Sequence, residues 1–201
     1  MFTGIVTDVG EIVDLQPRAA GIRLRIANRY DPAGIDMGAS IAHAGICLTV
    51  VDKGHLADGR GFIDVEASPE TLAVTTMADW AVGGRINLER SLCLGQELGG
   101  HMVTGHVDGV AEIVSRVDEA DMARFVFRAP RALARFIAQK GSVALNGTSL
   151  TVNEVDGDRF GVMMIPHTLA VTTWGAAKAG DRVNLEVDLM ARYVARLAEA
   201  G

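Results

Sequence analysis

The segment SIAHAGICLTV, residues 40–50, returns about a hundred residues later as SVALNGTSLTV, residues 142–152. Six of the eleven positions are identical. The two copies differ at a chemically important position, because Cys47 in the first stands where the second has Ser149. A repeat at this distance predicts two similar structural units in one chain.

Three further blocks match between the two halves of the chain. They are MFTGIVTDVGEIV from Met1 with MVTGHVDGVAEIV from Met102, PETLAVTT from Pro69 with PHTLAVTT from Pro166, and RINLE from Arg85 with RVNLE from Arg182. With the first pair they hold 25 identities in 37 aligned positions, where unrelated sequences would share about two or three. The chain is therefore an internal duplication.

The matching blocks are short, rich in strand-forming residues and separated by Gly, Asp and Pro at hairpin spacing. This pattern predicts an all-β fold of two tandem homologous six-stranded antiparallel Greek-key β-barrels, followed by a C-terminal α-helix. The expected units are an N-terminal barrel at 1–97, a C-terminal barrel at 98–187 and the helix at 188–201. The first copy is five residues longer within DKGHLADGRG, residues 52–61, which predicts a surface loop there.

Two segments have helical periodicity. PRALARFIAQKG, residues 130–141, places Leu133, Phe136 and Ile137 on one face and has Gly141 as a candidate C-cap. The second segment, DLMARYVARLAEAG, lies beyond the last repeated block.

In this C-terminal segment Leu189, Tyr193 and Leu197 form an apolar stripe, and Asp188 is the candidate N-cap. Such a stripe packs either on its own domain or against another subunit, and both remain open.

Composition excludes several classes of protein. The 201 residues carry a net charge of −6, and the 19 Lys and Arg are scattered, which argues against nucleic acid or an anionic membrane as a partner. Two cysteines without CxxC spacing, no basic leader and no long apolar run predict a cytoplasmic protein. The GxSxG, GxxxxGK[ST], GxGxxG and HExxH patterns are missing from the sequence, which argues against nucleoside-triphosphate-binding, Rossmann and zinc-hydrolase proteins.

Polar differences at equivalent positions of the two copies mark candidate functional residues. The pairs are Cys47 with Ser149, Ile5 with His106, His43 with Leu145, Glu70 with His167, and Ser91 with Asp188. Ordinary structural explanations exist for some of them, since a lone Cys is commonly a small buried hydrophobe and Asp188 could simply cap a helix. His101 and His106 are five apart, which puts them on opposite faces of a strand and argues against a shared metal.

MFTGIV, GASIAHAGICLTV, GGHMVTGHVDG, NGTSLTVN, IPHTLAVTT and RVNLEVD occur in this order along the chain. Together they resemble the alpha-type riboflavin synthase family over essentially the whole length. The resemblance implies a dismutation in which one 6,7-dimethyl-8-ribityllumazine gives a four-carbon unit to a second, yielding riboflavin and 5-amino-6-(D-ribitylamino)uracil. It also implies a homotrimer without a metal or an organic cofactor, with the reacting pair between the N-terminal barrel of one subunit and the C-terminal barrel of its neighbour. Lumazine synthase is a further candidate partner.

The resemblance also implies which residues bind the substrate. In the first site they are Gly4, Ile5, Val6, Cys47, Leu48, Thr49, Glu66, Ala67, Ser68, Pro69, Glu70 and Thr71. In the second site they are Gly105, His106, Val107, Lys140, Ser149, Leu150, Thr151, Met163, Met164, Ile165, Pro166, His167 and Thr168. His167 stands where an acidic residue is common, which affects how the second site would hold the ribityl chain.

The implied reaction removes a proton from the C7 methyl of the donor and adds a nucleophile at C7 of the acceptor. Cys47, His106, Ser149 and Asp188 are the catalytic candidates, with their individual roles left open. The alternative is a non-catalytic lumazine- or flavin-binding antenna protein of the same duplicated architecture.

Overall fold

The computed structural model describes residues 1–199. The first half contains strands β1 Asp8–Arg18, β2 Gly21–Asn28, β3 Ser40–His43, β4 Ile46–His55, β5 Gly61–Ala67 and β6 Arg85–Arg90, with helix α1 Pro69–Val74 and 3-10 turns Pro32–Gly34 and Thr76–Asp79. The second half contains β7 Gly109–Glu119, β8 Met122–Arg128, helix α2 Arg131–Ala134, β9 Ser142–Leu145, β10 Thr148–Thr151, β11 Glu154–Asp156, β12 Arg159–Met164, helix α3 Pro166–Val171, the 3-10 turn Thr173–Ala176 and β13 Arg182–Val187. Helix α4, Leu189–Glu199, follows.

The first half is a closed antiparallel barrel with strand order β1-β2-β5-β4-β3-β6. Alternate residues face its interior, as the two-residue period of a strand requires. Leu24 and Ile26 on β2, and Ile63 and Val65 on β5, are completely buried there. The predicted all-β fold of two duplicated barrel-like sheets is confirmed.

The second half repeats this strand order, but the counterpart of β4 is divided into β10 and β11. The break lies at Asn153, whose N–H donates to the Gly161 carbonyl at 2.8 Å and whose Oδ1 accepts from the Met163 N–H at 2.8 Å. The second sheet therefore consists of seven strand segments that fill the six predicted strand positions. Its core is more aromatic than that of the first half, with Trp174 packed edge-on against Phe125 and Phe127.

The repeated segment forms a hairpin in both halves. Ala44 and Gly45 have φ angles of 46° and 82°, and Asn146 and Gly147 have 44° and 75°, as a two-residue type I′ turn requires. The two turns meet at the junction between the halves, where a Cβ on Gly45 would lie 2.7 Å from the Gly147 nitrogen. The glycines are thus required by both the turn and the contact.

The predicted helix at 130–141 was largely wrong. Only Arg131–Ala134 is helical, because the chain then turns so that Ile137 enters the core and Lys140 donates its N–H to the Val152 carbonyl at 2.8 Å. Lys140, with a φ of +65°, takes the left-handed position that was expected of Gly141.

The C-terminal helix α4 is present, and Asp188 caps it by accepting from the Met190 N–H at 2.9 Å. Residues 200 and 201 of the predicted helix lie outside the described residues. The five extra residues of the first half partly lengthen β4, which pairs with β5 as far as His55, and only 57–60 form the exposed turn. Within residues 1–199 no helix is both long and apolar enough to cross a membrane.

Candidate functional site

Two short segments precede the first strands of the two halves. We call residues 1–6 arm 1 and residues 102–107 arm 2. They lie side by side, since the Phe2 N–H donates to the Val103 carbonyl at 2.7 Å and the Val103 N–H donates back at 3.1 Å. Phe2 and Val103 are buried with Ala42 and Ala144 in a small apolar cluster between the halves.

A buried carboxylate holds each arm to its own half. Glu89 on β6 accepts from the Thr3 N–H and hydroxyl, both at 2.7 Å, and from the Gly4 N–H at 2.9 Å. Glu186 on β13 makes the same three contacts with Thr104 and Gly105 at 2.7, 2.7 and 2.9 Å. Burial raises the pKa of Glu89 although these donors oppose the shift.

The tip of each arm then contacts the opposite half. The Ser149 N–H donates to the Gly4 carbonyl at 2.8 Å, and the Cys47 N–H donates to the Gly105 carbonyl at 2.9 Å. Both glycines have a φ of +77°, and a Cβ on either would lie 2.6 Å from the Cβ of the residue it faces. The family resemblance implied a first site with Gly4 and Cys47 and a second with Gly105 and Ser149, whereas the exchanged arms place Gly4 beside Ser149 and Gly105 beside Cys47.

Each half has a gap in its sheet beside the arm of the other half. The ladder between β4 and β5 begins at Val50 and Val65, which leaves Cys47–Thr49 unpaired with the end of β5. In the second half β10 pairs with β9 through main-chain hydrogen bonds but does not pair with β12. We call these gaps seam 1, formed by Cys47–Thr49, Glu66–Ala67 and Gly105, and seam 2, formed by Ser149–Thr151, Met163–Met164 and Gly4.

The structure thus divides the predicted binding residues between two seams. On β4 and β10, Thr49 and Thr151 are exposed, whereas Leu48 and Leu150 point their side chains into the barrel cores and pair with Ile41 on β3 and Val143 on β9. A strand has unpaired N–H and C=O groups along an open edge, so these stretches suit the edge of a flat heterocycle.

The ends of β5 and β12 lead into short helices that the sequence did not predict. Ser68 caps α1 through the Thr71 N–H at 3.2 Å, so Pro69, Glu70 and Thr71 belong to a helical turn. In the second half Pro166, His167 and Thr168 begin α3, after the exposed Ile165. Each of these helices has only six residues, which is too short for a helical pattern of apolar residues to be recognised in the sequence.

The four catalytic candidates separate into two pairs. His106 is exposed on arm 2 next to Gly105, so it belongs with Cys47 at seam 1. Asp188 caps α4, and its negative charge acts on His101, whose ring contacts the Ser149 hydroxyl of seam 2. Exposed Lys140 is hydrogen-bonded through its main chain to Val152, directly after seam 2.

His101 was not among the candidates named from the sequence. Its Nδ1 lies 2.7 Å from the Ser149 hydroxyl oxygen. Burial lowers the pKa of His101, while the negative charges of Asp188 and Glu186 oppose the shift, which favours a neutral imidazole. The preceding residue must be glycine, because a Cβ on Gly100 would lie 2.1 Å from the Thr3 carbonyl oxygen and 2.7 Å from the Ser149 Cβ. This glycine is visible in the sequence, but the contacts that require it are not.

A cavity of about 820 Å³ lies elsewhere, between the two 3-10 turns that follow α1 and α3. Its lining includes Thr76, Asp79, Trp80, Thr173 and Arg182, and none of the predicted site residues. Within residues 1–199 no group of three or more His, Cys, Asp or Glu side chains is arranged to hold a metal ion.

Comparison with known proteins assigns the duplication to a family. The model of the lumazine binding domain matches residues 3–91 and again residues 104–188. Riboflavin synthase from Brucella abortus is 57% identical over 99% of this chain and 98% of its own length, and that from Mycobacterium bovis is 43% identical over 98% of both.

Solved structures show the same architecture. LumP complexed with riboflavin superposes with a TM-score of 0.81 at 25% identity, and LumP complexed with 6,7-dimethyl-8-(1'-D-ribityl) lumazine with a TM-score of 0.78 at 24% identity. Both matches cover 93% of this chain and 99% of LumP. With both of its halves matched separately and its full length aligned to curated relatives, the chain belongs to the lumazine-binding riboflavin synthase family.

Proposed function

We propose that this protein is a riboflavin synthase, which converts two molecules of 6,7-dimethyl-8-ribityllumazine into riboflavin and 5-amino-6-(D-ribitylamino)uracil. The observation that carries the proposal is the 57% identity to a riboflavin synthase over 99% of the chain. Two equivalent seams with unequal side chains support it, because a dismutation needs two sites for one compound that treat the two copies differently.

The two seams are similar in their main-chain surroundings and different in their side chains. Each is bounded by a strand edge, the end of a second strand with a short helix, and a glycine from the opposite arm. Their polar groups differ, with Cys47 and His106 at seam 1 and Ser149 and Asp188 at seam 2. Alike main-chain surroundings suit the shared ring system, while unlike side chains suit different chemistry on the two copies.

We assign the proton transfer and the nucleophile delivery to these four residues, acting directly or through bound water, at C7 of one molecule and the C7 methyl of the other. The largest contribution is expected from holding the two rings together, since fixing two reactants contributes about 7–11 kcal/mol. Substrate binding is assigned to the residues named for the two sites, regrouped according to the exchange of the arms.

We further propose a homotrimer in the cytoplasm, with seam 1 of one subunit facing seam 2 of the next and residues 188–201 as the oligomerisation helix. Residues 1–97 and 98–187 are then the two lumazine-binding domains. The apolar residues of α4 support this arrangement, since Met190, Tyr193, Val194 and Leu197 are each at least 60% exposed. Arg192 anchors the helix to Asp108 at 2.7 Å and leaves this face uncovered in the single chain.

Association with lumazine synthase is a further proposal, because that enzyme's product would be this protein's substrate. The non-catalytic alternative has less support. The curated relatives at 57% and 43% identity are named riboflavin synthases, whereas the LumP structures are 24–25% identical.

The decisive experiment incubates the purified protein with 6,7-dimethyl-8-ribityllumazine and follows riboflavin by its absorbance and by chromatography. We expect one riboflavin for every two lumazine molecules consumed, with equal activity after dialysis against a chelator. Tight lumazine binding without any riboflavin would overturn the proposal in favour of a carrier protein.

A further inference from the structure

His101 is placed by the same arm that places Ser149. Its N–H donates to the Thr3 carbonyl at 3.1 Å, and the Ser149 N–H donates to the Gly4 carbonyl at 2.8 Å. Two successive carbonyls of arm 1 therefore fix both main chains. The 2.7 Å contact between His101 Nδ1 and Ser149 Oγ follows from that placement.

The imidazole of His101 makes one hydrogen bond within the described part of the chain. His101 Nε2 is buried and has no hydrogen-bond partner among residues 1–199. A neutral imidazole has one N–H and one lone pair on its two nitrogens, so its Nδ1 makes a single bond with the Ser149 hydroxyl. A serine hydroxyl otherwise rotates to suit its surroundings, and a fixed partner removes that freedom.

Seam 1 has no equivalent arrangement. Cys47 occupies the position of Ser149 and uses its main-chain N–H in the same way, toward Gly105. Its thiol makes no hydrogen bond within the described part of the chain, and no histidine ring is hydrogen-bonded to it. The two seams therefore differ in whether the side chain at this position is held, as well as in its identity.

We propose that His101 is a positioning residue of seam 2, which holds the Ser149 hydroxyl in one orientation toward the ribityllumazine bound there. The proposal rests on the proposed function and deepens it, since it names the group that makes seam 2 chemically different from seam 1. His101 acts through Ser149 and does not itself touch the substrate.

Kinetics of a double-mutant cycle test this dependence. His101→Ala and Ser149→Ala should each lower kcat by about tenfold, the effect of one hydrogen bond of ordinary strength, with KM changed less than threefold. The double variant should be no slower than the slower single variant, because His101 has nothing left to orient. Multiplied losses of about a hundredfold would overturn the proposal.

Two further variants separate positioning from folding. His101→Asn puts an amide near the position of Nδ1 and should recover most of kcat, whereas His101→Ala should not. His55→Ala removes an exposed histidine at the end of β4, away from both seams, and should leave kcat unchanged. Equal losses in His101→Asn and His101→Ala would contradict the proposal.

A readout without turnover separates this inference from the proposed function. In histidine-¹⁵N-labelled full-length protein, riboflavin should move the ring nitrogen shifts of His101 and leave those of His55 unchanged. Ser149→Ala should shift the His101 Nδ1 signal in the free protein and abolish its response to riboflavin. Absence of riboflavin production in the wild type would refute the proposed function alone, whereas an unresponsive His101 ring in a riboflavin-binding protein would refute this inference.

Discussion

Asn87 and Asn184 occupy equivalent positions in the two copies, and each reaches across the junction into the other half. Asn184 Oδ1 accepts from the Thr76 N–H at 2.8 Å, and Asn87 Oδ1 accepts from the Thr173 N–H at 2.8 Å. The amide nitrogen of Asn184 donates to the Ala44 carbonyl at 2.9 Å, and that of Asn87 donates to the Asn146 carbonyl at 3.0 Å. The asparagine kept in RINLE and RVNLE therefore joins the two halves.

Replacing Asn184 with alanine should destabilise the protein by about 2–6 kcal/mol. The change leaves the Thr76 N–H and the Ala44 carbonyl buried without partners, and each unsatisfied group costs about 1–3 kcal/mol. Urea unfolding followed by circular dichroism measures the loss. Gln16→Ala, at an exposed amide on β1, is the control and should stay within about 0.5 kcal/mol; equal effects of the two changes would show that the junction bonds contribute nothing.

Gly45→Ala should be clearly more damaging than Gly38→Ala. The two glycines have φ angles of 82° and 83°, so an alanine is strained by the backbone to a similar extent at both, at a cost of about 1–2 kcal/mol. A Cβ on Gly45 would also lie 2.7 Å from the Gly147 nitrogen, whereas one on Gly38 meets nothing within 4 Å. The difference in free energy of unfolding between the two variants isolates the contact of the two turns, and no difference would argue against a tight junction.

His43→Leu should remove part of the acid sensitivity of the fold. Complete burial lowers the pKa of His43 from 6.5 to about 4, so the unfolded chain binds a proton that the folded chain excludes. Stability from this residue is therefore fully present above pH 6.5 and falls as pH drops toward 4, by up to about 3 kcal/mol.

The second half supplies the replacement, since Leu145 occupies the equivalent buried position. Unfolding free energies of the wild type and His43→Leu should diverge between pH 6.5 and 4, with the variant more stable at the acid end. His55→Leu, at an exposed site, should follow the wild type. Parallel curves for His43→Leu and the wild type would mean that His43 stays neutral in the unfolded chain or is not desolvated in the fold.

The isolated first half, residues 1–97, should bind riboflavin only as a dimer. Its seam lacks Gly105, which arm 2 supplies in the full chain, and a second copy could offer Gly4 in the same place. Analytical ultracentrifugation measures the fraction of dimer, and quenching of riboflavin fluorescence measures the fraction of bound riboflavin. Both fractions should rise together as the protein concentration is increased. Full-affinity binding by a monomer would show that the exchanged arm is dispensable.

Deleting residues 189–201 should convert the proposed trimer into monomers and abolish most riboflavin formation. The deletion removes the exposed apolar face of α4, whose burial would stabilise an interface by about 25 cal/mol per Å² of apolar surface. Light scattering measures the molar mass of the truncated protein. Binding of one riboflavin at each seam would show that the barrels remain folded. A truncated monomer with full activity would contradict both the trimer and the shared site.

The sequence by itself determined the duplication, the two barrel-like sheets that follow from it, the C-terminal helix and its Asp188 cap. These features depend on local patterns such as strand periodicity, turn residues and capping side chains, which act over a few residues and are visible along the chain. The segments around Cys47 and Ser149 were also visible as a repeated block, although the assignment of binding residues came from the family resemblance.

Only the tertiary structure decided which of these blocks meet. The exchange of arms, which puts Gly4 beside Ser149 and Gly105 beside Cys47, depends on how the two copies pack against each other. A linear pattern is silent on that relation, because either grouping satisfies the same repeat. His101 became a candidate for the same reason: its hydrogen bond to Ser149 joins residues 48 positions apart, and it forms only because arm 1 fixes both main chains.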